Sequence, residues 1–165
     1  MKLLLFIFCL FIFCGCNSKT EEQIFASKYN DEIVNIQKQA DEALISILSD
    51  METIESAKFL VTYEINRDLT YEMLEKAKGL DKFNDDDKLK PALIKLLNIY
   101  CDLYENELSG LIDIFLKKTE DINQEDIEFI YHLYENIKLN YEDAKQEFLS
   151  EQKIFAKNKG LELYE

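Results

Sequence analysis

From Glu21 onward, apolar side chains recur every three or four residues, and this period limits the chain to helices more tightly than any other feature. In the first segment Ala26, Tyr29, Ile33, Ile36, Ala40, Ala43 and Ile47 alternate steps of three and four. A helix turns once in about 3.6 residues, so these positions share one stripe and form an a/d seam of the kind found in coiled coils. The whole chain has one proline and four glycines, too few to punctuate a set of short strands. The seam predicts a first helix over residues 21–49.

The same period continues downstream. A second helix is predicted over 53–78, with Ser49, Asp50 and Thr53 able to cap a new start. A single long helix through residue 55 is the alternative. Here Ala57, Val61, Ile65, Leu69, Met73 and Ala77 recur at i+4, and Leu60, Tyr63 and Leu74 widen the face. Gly79 is expected to end this helix in the left-handed conformation that glycine adopts without a Cβ penalty. Asp85, Asp86 and Asp87 precede a third helix over 87–117, where their charge suits the positive end of the helix dipole and Pro91 is tolerated near the first turn. Its buried stripe is read as Leu93, Leu96 or Leu97, Tyr100, Tyr104, Leu108, Leu111 and Phe115. Gly110 in mid-helix suggests the close approach of a neighbour. A fourth helix opens at Asn123, with Glu125 and Asp126 in its first turn. It runs through Ile127, Ile130, Tyr134, Ile137, Tyr141, Ala144, Phe148 and Phe155, interrupted by Glu151, to a Schellman stop at Gly160 and Leu161.

Four one-sided helices with short connections bury their stripes best against one another. The expected fold is therefore all-α, an elongated antiparallel up-down-up-down four-helix bundle.

The first 22 residues read differently. Lys2 is followed by an apolar run from Leu3 to Cys14, then Gly15, Cys16 and the polar stretch Asn17 to Glu22. A basic start, an apolar run of roughly 7–15 residues and a small residue at the break describe a secretory signal peptide, too short to span a bilayer. Phe13-Cys14-Gly15-Cys16 resembles the bacterial lipobox, with Phe13 and Cys14 in place of its usual Leu and Ala or Ser. The resemblance implies cleavage before Cys16 and acylation of that cysteine, palmitate included. Two or more acyl chains anchor stably where one does not. The organisation expected is a signal peptide at 1–15, a lipidated Cys16 with a short tether at 16–22, and a helical domain at 23–165. Loss of Lys2 takes the formal charge from -14 to -15. That acidity opposes nucleic-acid binding, which needs clustered cations, and favours a soluble monomer. Cys9 and Cys14 leave with the signal, so Cys101 has no internal disulfide partner and is read as a buried apolar side chain.

The chemistry-bearing patterns are sparse. A di-metal bundle site needs Glu-x-x-His on two helices, but the one histidine is His132, with Phe129 three residues before it and a solvent-facing register position. Glu128 and Glu135 beside it read as surface charge pairing. An EF-hand started at Asp121 accepts Asn123 and Glu125 but places Asp126 at the glycine and His132 at the glutamate; started at Asp85 it fails at Leu89. No cofactor or metal is expected, and no catalytic residue is assigned. Tyr29, Tyr100, Tyr104, Tyr134 and Tyr141 lie on inward stripes, as core or as the lining of a cleft, whereas Tyr131 and Tyr164 read as exposed.

The stretch from Leu80 to Tyr100, with Phe83 to Lys90 before a Leu-rich helix, and the ending from Glu147 to Leu161 are similar to a family of small helical surface lipoproteins of Bacteroidota and spirochaete type. That resemblance implies a helical lipoprotein and carries no activity. Lys19 before Glu21 and Glu22 is similar to the surface-export signal of Bacteroidota lipoproteins, interrupted by Thr20. The expectation is a lipid-anchored, non-enzymatic interaction or structural module of the cell envelope, held in the outer membrane by acyl chains on Cys16 and possessing a protein partner. The alternative is a periplasm-facing ligand-binding or inhibitor and immunity-type lipoprotein.

Overall fold

A computed structural model of the chain describes residues 20–53, 56–85 and 87–163. The expectations for Cys9, Cys14, Cys16, Asp86 and Tyr164, and for the side chains of Thr53 and Ala57, fall outside the described set. The described chain is an all-α bundle built from α1 (Glu21–Thr53), α2 (Ser56–Gly79), a third helical rod, and α5 (Gln124–Lys159). The rod comprises α3 (Leu89–Asp102), a π turn (Leu103–Glu107), a 3-10 turn (Leu108–Leu111) and α4 (Ile112–Phe115). Helices run antiparallel in the ring order α1, α2, rod, α5, and α3 also touches α1 across the centre. At 1.5 Å per residue, the 36 residues of α5 span about 54 Å, so the bundle is elongated.

The ends of the helices follow from local chemistry. The Thr20 hydroxyl accepts from Gln23 N at 3.1 Å while Thr20 N donates to Gln23 Oε1 at 3.0 Å, a reciprocal capping box. Glu21 and Glu22, which the sequence reading placed both at the helix start and in the 16–22 tether, are the first turn of α1, where their charge suits the dipole. Asn123 and Asp126 form the same box at α5. At the far end Gly160 has φ 61°, and Leu161 N donates to Ala156 O at 2.9 Å, the expected Schellman closure. A Cβ at Gly160 would lie 3.0 Å from the Gln23 side chain, so the last turn of α5 closes against the first turn of α1.

The stripes of α1 and the rod are buried where the period places them, and that of α5 is buried except at Ile127, Tyr134 and Tyr141, which are half-buried. All seven seam residues of α1 are buried, as are Leu93, both Leu96 and Leu97, Tyr100, Tyr104, Leu108, Leu111 and Phe115 on the rod. On α5, Ile130, Ile137, Ala144, Phe148 and Phe155 are buried, and the core position beside Glu151 is filled by Gln152, which donates to Asn30 on α1.

The second helix buries Tyr63, Met73, Leu74 and Ala77 of its expected face but departs from it at Val61 and Ile65. Val61 and Ile65 are each 61% exposed, and the buried stripe is Phe59, Tyr63, Asn66, Thr70, Met73, Leu74 and Ala77. A step of four residues overshoots one turn by about 40°, so an i+4 run winds away around the helix. Burial instead selects an alternating stripe, even though two of its members are polar.

The glycine readings change too. Gly79 is the last residue of α2 without a positive φ. Gly110 is exposed, and a methyl group in place of its Cα hydrogen would meet no atom within 4 Å, so no helix approaches it. The register of α2 is directly testable by urea denaturation. Ile65→Asp should leave stability within about 0.5 kcal/mol of the parent, whereas Met73→Asp should cost about 3 kcal/mol or more.

Candidate functional site

Three features of the bundle carry polar or accessible chemistry. The first is a buried charge on α1. Asp41 is 5% exposed and receives hydrogen bonds from three helices. Tyr100 Oη donates to its Oδ1 at 2.7 Å. Its Oδ2 accepts from Gln37 Nε2 at 2.5 Å, from Tyr141 Oη at 3.4 Å and from Lys145 Nζ at 2.5 Å. The Lys145 ammonium also donates to Tyr141 Oη at 2.7 Å and lies 5.1 Å from that ring's centre. Oδ1 thus takes one donor and Oδ2 three. The cluster joins α1, α3 and α5, and burial within it keeps the Asp41 carboxylate from solvent.

The electrostatics agree. Burial raises the Tyr100 phenol well above its ordinary range, and the Asp41 charge adds to the effect. Burial also raises Tyr141, outweighing the Lys145 hydrogen bond. For Lys145, burial disfavours the charge, but the bonds to Asp41 and Tyr141 win and lift its pKa.

The second feature lies at the Thr20 end. Phe25, Tyr29, Phe83 and Phe155 form an aromatic cluster, with Phe25 and Phe83 stacked at 5.2 Å and Phe83 edge-on to Phe155 at 5.2 Å. Tyr29 Oη donates to Asp87, whose Oδ1 also accepts from Leu89 N at 2.9 Å and caps α3. A cleft of about 470 Å³ opens beside this cluster between Asp87, Leu89, Glu151 and Phe155. Lys159 at its edge lies over the Phe83 ring and bonds Glu22 at 2.8 Å.

The third is a groove of about 280 Å³ between α1 and α5, walled by Ile45 and Leu48 on one side and Tyr134 and Tyr141 on the other. It opens toward the end of the bundle opposite Thr20. Tyr141 thus has two faces, one on the Asp41 cluster and one on the groove.

The residues singled out in the sequence fall as follows. Cys16 is outside the described residues. Cys101 is buried in α3, and burial, with Glu105 and Asp102 nearby, pushes its thiol up to about 11, so it stays protonated and unreactive. His132 is exposed on α5. Asp87 and Asn123 cap helices, which accounts for the acidic runs that resembled parts of a calcium loop. Among the described residues no three His, Cys, Asp or Glu side chains converge as a metal site. Tyr29, Tyr100 and Tyr104 are core residues, Tyr134 and Tyr141 line the groove, and Tyr131 is 64% exposed. Asp41 and Lys145 carried no signal in the sequence beyond Asp41 lying next to the seam residue Ala40. Among the described residues no helix is long and apolar enough to cross a membrane. Comparison with family models, with curated proteins and with solved structures finds no match.

Two outcomes are expected from the cluster. Lys145→Met strands the Asp41 charge and should cost about 2 kcal/mol in urea unfolding, less than a fully buried pair because Lys145 keeps some solvent contact. Tyr100, Tyr141 and Lys145 all hold their protons more tightly when folded, so the folded state binds more protons than the unfolded one in the alkaline range. Stability should hold below pH of about 10, the ordinary range of Tyr and Lys, and fall as pH rises through it. Equilibrium unfolding as a function of pH measures this.

Proposed function

We propose that this chain is a lipid-anchored, acidic helical lipoprotein of the cell envelope that works as a non-enzymatic interaction or structural module. The observation that carries the reading is the junction at Cys16, where an apolar run ends at a lipobox-like cysteine four residues before the capping Thr20. Acyl chains on Cys16 would hold the Thr20 end of the bundle at an outer-membrane surface. Exposed Lys82, Lys88, Lys153 and Lys157 stand at that end among exposed Glu21, Glu22, Asp81 and Asp85, so its charge is mixed, while the N-terminal half of α5 at the other end is acidic.

A binding role is favoured over catalysis by the state of the reactive groups. The Asp41 carboxylate is buried and bonded to four donors, the Cys101 thiol is protonated, and His132 stands on a solvent face. The cleft at the Thr20 end is the observation that favours a ligand-binding or inhibitor-type lipoprotein instead. It ranks second because Asp87 and Lys159, two charged groups in its lining, are already engaged by Tyr29 and Glu22. The test is metabolic labelling with a fatty-acid analogue. Cys16→Ser should abolish the label and move the chain out of the membrane fraction; label retained at the wild-type level overturns the anchor.

A further inference from the structure

We infer that the first turns of α1 are a second point of membrane attachment, with Ile24 and Phe25 entering the lipid interface beside the anchor. The inference rests on the tethered reading of Cys16, because the tether sets the distance. Fully extended, the four residues from Cys16 to Thr20 reach about 14 Å. A headgroup layer is itself about 5–7 Å thick. Phe25 follows Thr20 by five residues, or about 7.5 Å of helix. Apolar side chains of a helix lying on a bilayer enter it by about 5–10 Å. An acylated Cys16 therefore holds the start of α1 at the headgroups, close enough for both side chains to reach the acyl boundary.

Ile24 is 44% and Phe25 55% exposed, and the two adjoin in sequence at the helix start. Exposed apolar side chains scattered over a surface are ordinary, and Val61, Ile65 and Leu116 need no occupant. Ile24 and Phe25 differ in standing next to the anchor, and Phe25 is backed by the core. Its ring stacks on Phe83 at 5.2 Å, and Phe83 packs in turn on Tyr29 and Phe155. One side of the ring is thus fixed and the remainder is open, so little further ordering is needed when lipid covers it. The next exposed residues of α1 are Lys28, Asp31 and Glu32. The apolar stretch is therefore confined to the anchored end.

Distance and apolar burial choose this occupant, not charge. Exposed Glu21, Glu22, Asp81 and Asp85 stand at this end with exposed Lys28, Lys82 and Lys88. The Glu22 carboxylate is held by Lys159 at 2.8 Å. With both signs present, the attraction comes from removing Ile24 and Phe25 from water, so it should hold on zwitterionic lipid and change little with salt. Acyl chains and an apolar side-chain contact together are two independent signals, and membrane attachment that draws on two is the stable kind. Their combination also stops the bundle from swinging about its tether.

The chain has no tryptophan, so one substitution gives an unambiguous fluorescent reporter. The test uses the full-length protein purified from membranes and placed in vesicles of phosphatidylcholine, with or without bromine on the lipid acyl chains. Phe25→Trp is the reporter, and Ile65→Trp and Leu116→Trp are controls at exposed positions away from the anchor. Emission of the Phe25→Trp protein should shift to the blue and fall at least about twofold with brominated lipid, at low and high salt alike. The two controls should lose less than about a tenth. Adding Ile24→Asp to the reporter should remove at least about half of the quenching with melting unchanged, since both side chains are exposed. Equal quenching of all three reporters, quenching indifferent to Ile24→Asp, or shielding from acrylamide without bromine quenching, the mark of a protein cover, would overturn the proposal. Fatty-acid label on Cys16 is read on the same preparation. Label present with the Phe25→Trp reporter unquenched overturns the contact alone; label absent with the reporter quenched overturns the anchor alone; absence of both overturns both.

Discussion

Asp41 is a charge placed inside an apolar seam, and the arrangement of the other helices follows from keeping it satisfied. An unpaired buried carboxylate would be far costlier than any packing gain nearby. Its partners come from α1 itself through Gln37, from α3 through Tyr100, and from α5 through Tyr141 and Lys145. Apolar stripes alone tolerate a slip of one helix past another by a heptad, because one layer of Leu or Ile resembles the next. A slip here would break several hydrogen bonds at once. The cluster fixes the longitudinal register of three helices, and the Asn30 to Gln152 bond repeats the restraint nearer the Thr20 end.

The third rod shows a different solution to a packing demand. Its stripe from Leu89 to Phe115 stays buried throughout, but the backbone passes from α to π to 3-10 geometry between Asp102 and Ile112. A π turn shifts the helical phase and a 3-10 turn shifts it back, so both halves of a long stripe can face the core. Such a change disturbs the backbone hydrogen bonds, and Tyr63 Oη on α2 supplies a donor to Tyr104 O at 3.0 Å. The polar members of the buried α2 stripe lie close in sequence to that contact. Thr70 satisfies itself by donating to Asn66 O at 2.8 Å. The shifted face of α2 and the irregular rod are thus two sides of one interface.

The charge pattern of α5 links helix stability to the charge of the bundle's ends. Its first half carries Glu125, Asp126, Glu128 and Glu135 against Lys138, whereas in its second half Lys145, Lys153, Lys157 and Lys159 balance Glu142, Asp143, Glu147 and Glu151, so its net negative charge lies at the end that suits the helix dipole. Because both ends of this helix are ends of the bundle, a local helix-stabilising pattern becomes an acidic pole at one end and balanced charge at the other. The groove lies toward the acidic pole.

By itself the sequence determined the helical class, the seams of α1, the rod and α5, and the caps at Asn123 and Gly160. All of these are encoded by residues within a few turns of one another, where spacing and side-chain chemistry act directly on the backbone. Glu21 and Glu22 show the limit of that legibility: read as part of an export signal, they lie in the fold in the first turn of α1, between the capping partners Thr20 and Gln23. The tertiary structure alone decided the buried face of α2, the phase change in the rod, the buried cluster on Asp41 and the open groove beside Tyr141. Each depends on which side chain another helix presents across the core. Asp41 and Lys145 are 104 positions apart, and a carboxylate beside a seam is indistinguishable in sequence from one in solvent until its cation arrives.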